Sequence, residues 1–150
     1  MAERPVRSIL HRHRRRFGPD LVSAHPAETV RDAARRMAEQ RCGSILVVED
    51  GRLLGIFTER DLLVRVVAAG LEPTTTRLRD AMTADPVTIG AEEPVEEAVR
   101  RMDEGSFRHL VVVSGEHVLG VVSTRDIPVL TVAQMAGELD RRHRLAERVW

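Results

Sequence analysis

The amino-acid sequence repeats itself at a fixed distance of 65 residues, and this repeat constrains the fold more than any other feature. The residues from Gly55 to Asp61 read Gly, two apolar residues, a hydroxyl, a variable residue, Arg and Asp, and Gly120 to Asp126 read the same. The offset holds upstream without a gap, so that Arg35 to Met37 matches Arg100 to Met102. Such self-similarity indicates one supersecondary unit built twice. Because each copy alone would be marginally stable, we expect the two copies to share a core.

Hydrophobic periodicity predicts the same series of elements in both copies. In the first copy a short strand at residues 21–23 precedes a helix, whose apolar side chains from Val30 to Ala38 recur on one face. Apolar runs on either side of Asp50-Gly51 then predict a hairpin of strands that are buried on both faces. The run from Glu59 to Ala69 predicts another helix. In the second copy Pro128 falls early in this helix and is expected to kink or restart it.

The register of the copies divides the chain. Residues 1–71 hold the first copy with a basic lead-in, and residues 72–130 hold the second, which opens with a linker at 72–77. Residues 131–150 have no counterpart in the first copy and predict a C-terminal helix with one apolar and one charged side. The arginine-rich run at residues 12–16 is typical of a solvated loop, with phosphate contact or docking on an acidic partner as alternatives.

Composition limits the classes of function. The formal net charge is zero, which removes a bulk attraction to nucleic acid, and the apolar and charged fractions of 43% and 31% are typical of a globular protein. No window is long and apolar enough for a membrane span, and the first residues lack a signal-peptide core. The single cysteine, Cys42, fits a reducing compartment, so we expect a cytoplasmic location. The histidines show no metal-ligand spacing, and neither a metal site nor a cofactor is expected.

The repeated motif admits a structural and a functional interpretation. Thr58 and Ser123 each follow an apolar run and precede a helical pattern, with an Asp three residues later, which is the sequence of a capping box. Capping accounts for the hydroxyl and the acid, but not for the recurring Arg or for the Gly three residues before the cap. A helix N-terminus beside a hydroxyl and an Arg also suits phosphate, and a nearby carboxylate suits a ribose diol. The motif therefore predicts either a pair of caps or a pair of ligand sites.

This order of elements, with the signature in tandem, resembles the cystathionine-β-synthase (CBS) domain family over residues 6–130. The resemblance implies an α/β (α+β) fold of two β-α-β-β-α repeats that pack sheet to sheet with pseudo-twofold symmetry, here followed by the C-terminal helix. Such a tandem pair, called a Bateman module, has two clefts. Many members bind AMP, ADP or ATP there, and some bind S-adenosylmethionine, NAD-type ligands, nucleic acid or metal ions. Many regulate an attached enzyme or transporter, whereas this chain looks like a stand-alone pair.

The resemblance also assigns roles by position. It implies that the signature Asp contacts the ribose, that the hydroxyl and Arg face the phosphate, and that the first strand of each copy contacts the base. The Arg-His pair before the third strand of the second copy matches a basic position of the family, whereas the first copy has Gly43-Ser44 there, so the clefts are expected to be unequal. The expected nucleotide-binding residues are Ser23, Ile56, Thr58, Arg60, Asp61, Thr88, Arg108, His109, Val121, Ser123, Arg125 and Asp126.

The leading hypothesis is a non-catalytic sensor that binds an adenine nucleotide and passes a change of shape to an effector protein. A homodimer through the amphipathic helices is also expected. The alternatives are a structural or interaction dimer without ligand, and a binder of S-adenosylmethionine, NAD or nucleic acid. An enzyme built on His109, Ser123 and Asp126 is disfavoured, because the first copy repeats the acid and a hydroxyl without the His. No catalytic residue is therefore expected.

Overall fold

A computed structural model describes residues 3–10 and 21–127, which form two small β-sheets. The strands are β1 (Ser23–Ala24), β2 (Ser44–Glu49), β3 (Arg52–Thr58), β4 (Thr83–Ala84), β5 (Thr88–Gly90), β6 (His109–Ser114) and β7 (His117–Ser123). The first sheet has the order β1-β2-β3-β4 and the second the order β5-β6-β7. The pairs β1-β2 and β5-β6 are parallel, and the other neighbours are antiparallel. Each sheet thus contains the strand-helix-hairpin order that the sequence predicts.

Two long amphipathic helices connect the parallel strands. The helices that lie wholly within the described residues are the long α1 (Val30–Gln40) and α4 (Val95–Gly105) and the short α2 (Glu59–Asp61) and α3 (Leu78–Ala81). A π-helical turn lies at Leu62–Val67 and a 3₁₀ turn at Thr124–Asp126. α1 begins where the capping pattern predicts, because Thr29 Oγ1 accepts a hydrogen bond from Asp32 N at 3.2 Å. Arg41 and Ser106 end α1 and α4 in the left-handed conformation, with φ of 53° and 54°.

Both predicted hairpins are present. In the first hairpin Asp50 and Gly51 have φ of 51° and 73°. Positive φ at both central residues gives a turn whose twist matches that of the flanking strands. The register shifts at the same place in both hairpins, at residues 47–48 and 112–113. The equivalence of the two copies therefore extends to irregularities of the strands.

The hydrophobic core has three parts. One lies between the first sheet and α1, one between the second sheet and α4, and one between the two sheets. Alternation along the strands sorts the side chains, so that Ile45 and Val47 face α1 whereas Leu46 faces the other sheet. The inter-sheet core consists of Leu46, Ile56 and Val111, flanked by Val48, Leu53, Val113, Val118 and Val121. The central strands are therefore buried on both faces, as their continuous apolar runs predict.

The lead-in of each copy packs against the other copy. Residues 3–10 lie on the second half, where Val6 N donates to Glu93 O at 2.8 Å and the side chain of Val6 enters the core beside α4. The equivalent residues before the second copy, 78–84, lie on the first half, where β4 pairs with β3 and Leu78 is buried beside α1. The packed units are thus interleaved along the chain. The division at residue 71 describes the sequence repeat and stays a prediction.

This exchange explains the glycine of each motif. A β-carbon on Gly55 would lie 2.7 Å from the carbonyl oxygen of Thr83 and 2.7 Å from the sulfur of Met82. A β-carbon on Gly120 would collide with the side chain of Leu10, which belongs to the other lead-in. In both copies the glycine therefore leaves the space that the exchanged lead-in occupies.

The predicted fold class is confirmed, with differences in detail. The first strand was predicted at residues 21–23 and is Ser23–Ala24, and the helix predicted from Glu59 to Ala69 is the short α2 followed by the π-helical turn. The predicted basic loop, the kink at Pro128 and the C-terminal helix at 131–150 lie outside the described residues. Across the described part of the chain, no helix combines the length and apolar character needed to cross a membrane.

Candidate functional site

The first motif forms a closed capping box at the end of β3. Thr58 has an extended backbone, with φ −117° and ψ 166°, and its Oγ1 accepts a hydrogen bond from Asp61 N at 3.2 Å. In return, Asp61 Oδ2 accepts a hydrogen bond from Thr58 N at 3.0 Å. These reciprocal bonds satisfy main-chain donors that a helix start leaves open. The capping interpretation of this motif is therefore correct.

Asp61 makes more hydrogen bonds than a cap requires. Thr83 Oγ1, which comes from the exchanged β4, donates to Asp61 Oδ1 at 3.1 Å. Arg65 Nε lies 3.5 Å from the same oxygen. The residue is only 8% exposed, and a buried carboxylate is costly unless such partners surround it. Both oxygens of Asp61 are thus engaged within the chain.

Arg60 reaches from the first copy to the second. Its Nη1 donates to Ser106 O at 2.7 Å, where Ser106 is the left-handed residue that ends α4. Carbonyl oxygens at a helix C-terminus lack helical partners and carry partial negative charge, so a guanidinium group is stabilised there. The partner of Arg60 in this structure is therefore a main-chain oxygen, and its expected contact with phosphate stays a prediction.

The second motif has a similar cap in more open surroundings. Ser123 N donates to Asp126 Oδ2 at 2.7 Å, and Ser123 Oγ accepts from Arg125 N at 3.3 Å. Asp126 is half-buried, and within residues 3–10 and 21–127 its Oδ1 has no hydrogen-bond partner. The Arg125 side chain is exposed and forms no hydrogen bond or ion pair within the same ranges. Within the described part of the chain, Asp126 Oδ1 and the guanidinium group of Arg125 thus remain available.

Two basic residues stand at the start of β6 beside this motif. Arg108 corresponds to Gly43 of the first copy, and His109 pairs with Ser123, the hydroxyl residue of the motif, in the neighbouring strand β7. A β-carbon on Gly43 would collide with the Glu59 carboxylate and lie 2.9 Å from His109 Nε2, so Gly43 makes room for both groups. Burial lowers the pKa of His109, although the charges of Glu59 and Asp126 act in the opposite direction. His109 thus lies between the two motifs.

The remaining predicted contacts lie on the sheet faces that meet each other. Ile56 and Val121 belong to the inter-sheet core. Ser23 and Thr88 pair with members of that core across the parallel strands. The structure therefore places the expected base contacts and the motif hydroxyls on the same inter-sheet faces.

Sequence reasoning missed Arg65 and Thr83, the two further partners of Asp61. Arg65 follows Asp61 by four residues on the same helical run, and this spacing is a readable signal for an ion pair. Thr83 lies in the exchanged lead-in, 22 residues away, and no local pattern in the sequence indicates the contact. Glu59 was treated as the variable residue of the motif, yet it approaches His109.

The set of groups around the second motif is suited to an anion that also carries hydroxyls. It offers the guanidinium groups of Arg108 and Arg125, which have no partner in the described part of the chain, together with Asp126 Oδ1. Guanidinium groups bind phosphate, and a carboxylate oxygen accepts hydrogen bonds from a diol. Among the described residues no three His, Cys, Asp or Glu side chains are grouped so as to hold a metal ion.

Comparisons with known proteins agree on one family. A family model for the CBS domain matches residues 7–68 and 78–127. A CBS domain-containing protein of Arabidopsis thaliana is 34% identical over 134 residues, which are 86% of this chain and 25% of that protein. The chain thus spans about a quarter of that relative's length.

Solved structures share the fold. A putative signal-transduction protein with CBS domains from Burkholderia ambifaria is 29% identical, with a TM-score of 0.78 over 89% of this chain and 95% of that one. A CBS domain protein from Pyrobaculum aerophilum, solved in complex with AMP, has a TM-score of 0.73 over 89% and 99% of the two chains. At 24% identity, that second likeness shows the fold alone. The two matches to the family model together cover most of this chain. The chain therefore belongs to the CBS domain family and carries two CBS domains in tandem.

Proposed function

We propose that this tandem CBS pair is a non-catalytic regulatory module that binds AMP, ADP or ATP beside the second motif. In this proposal Asp126 Oδ1 accepts hydrogen bonds from the ribose hydroxyls, and Arg108 and Arg125 hold the phosphate. Thr88 and Val121, on the inter-sheet face of the second sheet, border the base. The module itself performs no reaction, and it passes ligand occupancy to an effector protein through a change of shape.

The observation that carries the proposal is the unequal use of the two motifs. In the first motif Asp61 and Arg60 are bonded to Thr83 and to Ser106 O. In the second motif Arg125 has no partner among the described residues, and Asp126 keeps one free oxygen there. Polar groups that lack a partner among the described residues retain their capacity to bind a ligand.

The AMP complex of the Pyrobaculum aerophilum protein gives further support. It shows that a protein of this fold holds an adenine nucleotide. Because the identity is low, the support concerns the ability of the fold and not the residues of the site. The residues proposed here rest on their geometry and charge in this chain.

The geometry does not favour an enzyme. Ser123 Oγ accepts from Arg125 N and donates to Asp126 Oδ2 at 3.3 Å. A nucleophilic serine requires instead a hydrogen bond to a general base such as a neutral imidazole. Among the described residues, no hydrogen bond joins Ser123 Oγ to His109. The proposal therefore assigns these residues to ligand binding.

The proposal includes a homodimer. The π-helical turn exposes three large apolar side chains, Leu63, Val64 and Val67, at 62%, 54% and 58% of their surface. Grouped apolar side chains on one helical surface are typical of a protein interface. Light scattering at micromolar concentration is expected to give twice the monomer mass, and Val64→Glu is expected to shift the protein towards monomer.

The closed first motif favours a second candidate, an interaction module whose motifs serve only as caps. The contacts of Asp61 show that the acid of the signature can have all its partners within the chain. If the second motif also serves only as a cap, the module acts through protein contacts without a small ligand. S-adenosylmethionine and NAD, which share the adenosyl group, are further ligands that the test must separate from nucleotides.

The test is calorimetric titration of the purified full chain with AMP, ADP, ATP, S-adenosylmethionine and NAD. We expect saturable binding of at least one adenine nucleotide, and weaker binding by Asp126→Asn with an unchanged melting temperature. Binding of S-adenosylmethionine or NAD alone would replace the nucleotide assignment. Absence of binding to wild type at millimolar concentrations of every ligand would favour the interaction module.

A further inference from the structure

The two long helices make the same contact to the edge of each sheet. Arg36 on α1 donates from Nη1 to Ser23 O at 2.5 Å, and Arg101 on α4 donates from Nη1 to Thr88 O at 2.7 Å. The two arginines are 65 residues apart, as are the two strand residues. The contact is therefore part of the repeated unit, although it lies outside the signature motif.

A glutamate completes each contact. Arg36 Nη2 donates to Glu28 Oε1 at 2.6 Å, and the other oxygen of Glu28 accepts from His25 N at 2.6 Å. In the second half Arg101 Nη2 donates to Glu93 Oε1 at 2.6 Å, and the other oxygen of Glu93 accepts from Gly90 N at 2.6 Å. We call each set of strand carbonyl, arginine, glutamate and following amide the edge clip.

The clip acts on strands that have few other constraints. β1 and β5 are two and three residues long, and each lies at the edge of its sheet with one paired side. An edge strand presents main-chain groups that no neighbouring strand satisfies. The planar guanidinium group bonds the strand carbonyl and a carboxylate at the same time, which fixes the strand against its helix. The clip thus sets the position of residues 23–25 and 88–90.

These residues border the opening between the sheets. Val22 and Ala24 pack on the side of α1, so alternation places Ser23 on the inter-sheet face. Thr88 pairs with Val111, a member of the inter-sheet core. The clip therefore holds the part of each sheet edge that lies nearest to the proposed base position.

Fold stability alone is a weak explanation for the clip. The arginine and glutamate side chains of both clips are partly exposed. Partly exposed ion pairs contribute little to the free energy of unfolding, because water screens them and their long side chains lose entropy. The geometry is nevertheless repeated in all its members, down to the amide two residues after the strand carbonyl. A contact whose ion pair adds little stability but which fixes a sheet edge is suited to positioning.

We propose that Arg101 is a positioning residue, which holds the edge of β5 so that it fits the base of the ligand. The proposal rests on the function proposed above and deepens it for the second half. Arg101 is the more constrained of the two clip arginines, because its Nε also donates to Glu97 Oε1 at 2.8 Å. Its neighbour Arg100 bonds to Glu97 and Glu104 on the same helix, and no described contact joins it to β5.

Arg101→Gln tests the proposal, with Arg100→Gln as the matched control that removes an equal charge from the same helix. Calorimetry on the full chain uses three probes: AMP, adenosine, which lacks the phosphate, and ribose 5-phosphate, which lacks the base. We expect Arg101→Gln to lower the affinity for AMP and for adenosine by about tenfold, the equivalent of one hydrogen bond, and to leave the affinity for ribose 5-phosphate unchanged. Arg100→Gln is expected to change none of the three.

Other outcomes would contradict the positioning role. If Arg101→Gln weakened the binding of AMP and of ribose 5-phosphate equally, the variant would have lost charge or structure in general. If its affinities for AMP and adenosine were unchanged, the clip would have no part in binding. Equal effects of Arg100→Gln and Arg101→Gln would remove the role of the clip as well. Wild type that binds none of the probes, and neither ADP nor ATP, would refute the proposed function itself, and the clip would lose its proposed role with it. Amide hydrogen exchange at residues 88–90 is expected to quicken in Arg101→Gln alone, and unchanged exchange there would contradict the positioning.

Discussion

The two copies of the signature have the same pattern of residues but make different contacts. In the first copy the Asp61 carboxylate is buried and bonded to Thr58, Thr83 and Arg65. In the second, Asp126 is half-buried and, among the described residues, bonded only to Ser123. A motif therefore does not determine by itself whether its acid stabilises the fold or stays available to a ligand. The neighbours of the motif decide this.

Part of this difference is already written in the sequence. The residue that corresponds to Arg65 at the repeat offset is Leu130, which cannot form an ion pair with the acid of the second motif. The other part comes from the exchange of lead-ins, which brings Thr83 to Asp61. We therefore propose a structural task for the first motif and a binding task for the second, and the following variants test that proposal.

The largest effect is expected from Gly55→Ala. Its β-carbon would lie 2.7 Å from the Thr83 carbonyl oxygen, in the main chain of the paired strand β4, which cannot turn away as a side chain can. We expect the free energy of unfolding to fall by about 2–3 kcal/mol, the upper range for overpacking. The matched variant Gly120→Ala meets the end of the Leu10 side chain and is expected to cost about 1 kcal/mol. Urea denaturation measures both, and equal costs would show that the two lead-ins pack alike.

The next effect separates the two acids. Asp61→Asn replaces a double acceptor by an amide whose NH₂ group must face one of the donors around it, either Thr58 or the pair of Thr83 and Arg65. We expect a loss of about 1.5 kcal/mol in the free energy of unfolding, the lower value for hydrogen bonds to a charged group. Affinity for AMP is expected to stay unchanged.

Asp126→Asn should show the reverse pattern. The amide oxygen can replace Oδ2 as the acceptor for Ser123 N, so the free energy of unfolding should change by less than about 0.5 kcal/mol. The affinity for AMP should fall by about tenfold to a hundredfold, because a charge-assisted bond to the ribose is lost. Melting curves and calorimetry on the same samples give both quantities. A lower melting temperature for Asp126→Asn with unchanged affinity would mean that both motifs are only caps.

The sequence predicted the elements of the fold well because their signals are local. The hairpin at Asp50-Gly51, the cap at Thr29 and the apolar stripe of α1 each depend on residues within one element. The repeat then transferred the hairpin and the apolar stripe to the second half, whereas Pro94 takes the place of Thr29 and starts α4 without a side-chain cap. The buried face of β2 could be read for the same reason, since a continuous apolar run has no polar side to expose.

The sequence could not show which lead-in packs on which copy. Val6 and Leu78 are apolar residues before a repeat, and nothing in their spacing indicates that each lies on the other half. The recurring Gly of the motif stayed unexplained for this reason, since its neighbour is the exchanged lead-in. The burial of Asp61 was missed as well, because a charged residue in a first helical turn is ordinarily exposed.

A smaller effect is expected from the two signature arginines. Arg60→Gln removes the bond to Ser106 O, which joins the first motif to the end of α4, and should lower the free energy of unfolding by about 1 kcal/mol. Arg125→Gln removes no bond within the described residues and should change the free energy of unfolding by less than about 0.5 kcal/mol, but it should lower the affinity for AMP. Denaturation and calorimetry of both variants check the contrast. If Arg60→Gln alone weakens AMP, the ligand is held by the first motif and the assignment of the two motifs must be reversed.

The smallest effect concerns pH and a position where the copies differ, His109 in the second half and Ser44 in the first. Burial lowers the pKa of His109 in the folded protein below its ordinary value of 6.5. As pH falls through 6.5, the unfolded chain therefore takes up this proton before the folded one, and the free energy of unfolding declines until the pH passes the folded pKa. His109→Gln should remove this part of the decline, whereas His117→Gln, at an exposed place on the second hairpin, controls for the loss of an imidazole.

A bound phosphate beside His109 would favour the imidazolium form, so AMP should bind more tightly to wild type as pH falls from 7.5 to about 6, and His109→Gln should lose this dependence. Denaturation curves across this pH range and calorimetry at both ends give the two readouts. A variant that keeps the wild-type pH dependence of AMP binding would show that the phosphate does not lie beside His109, even if the stability curve changes as expected.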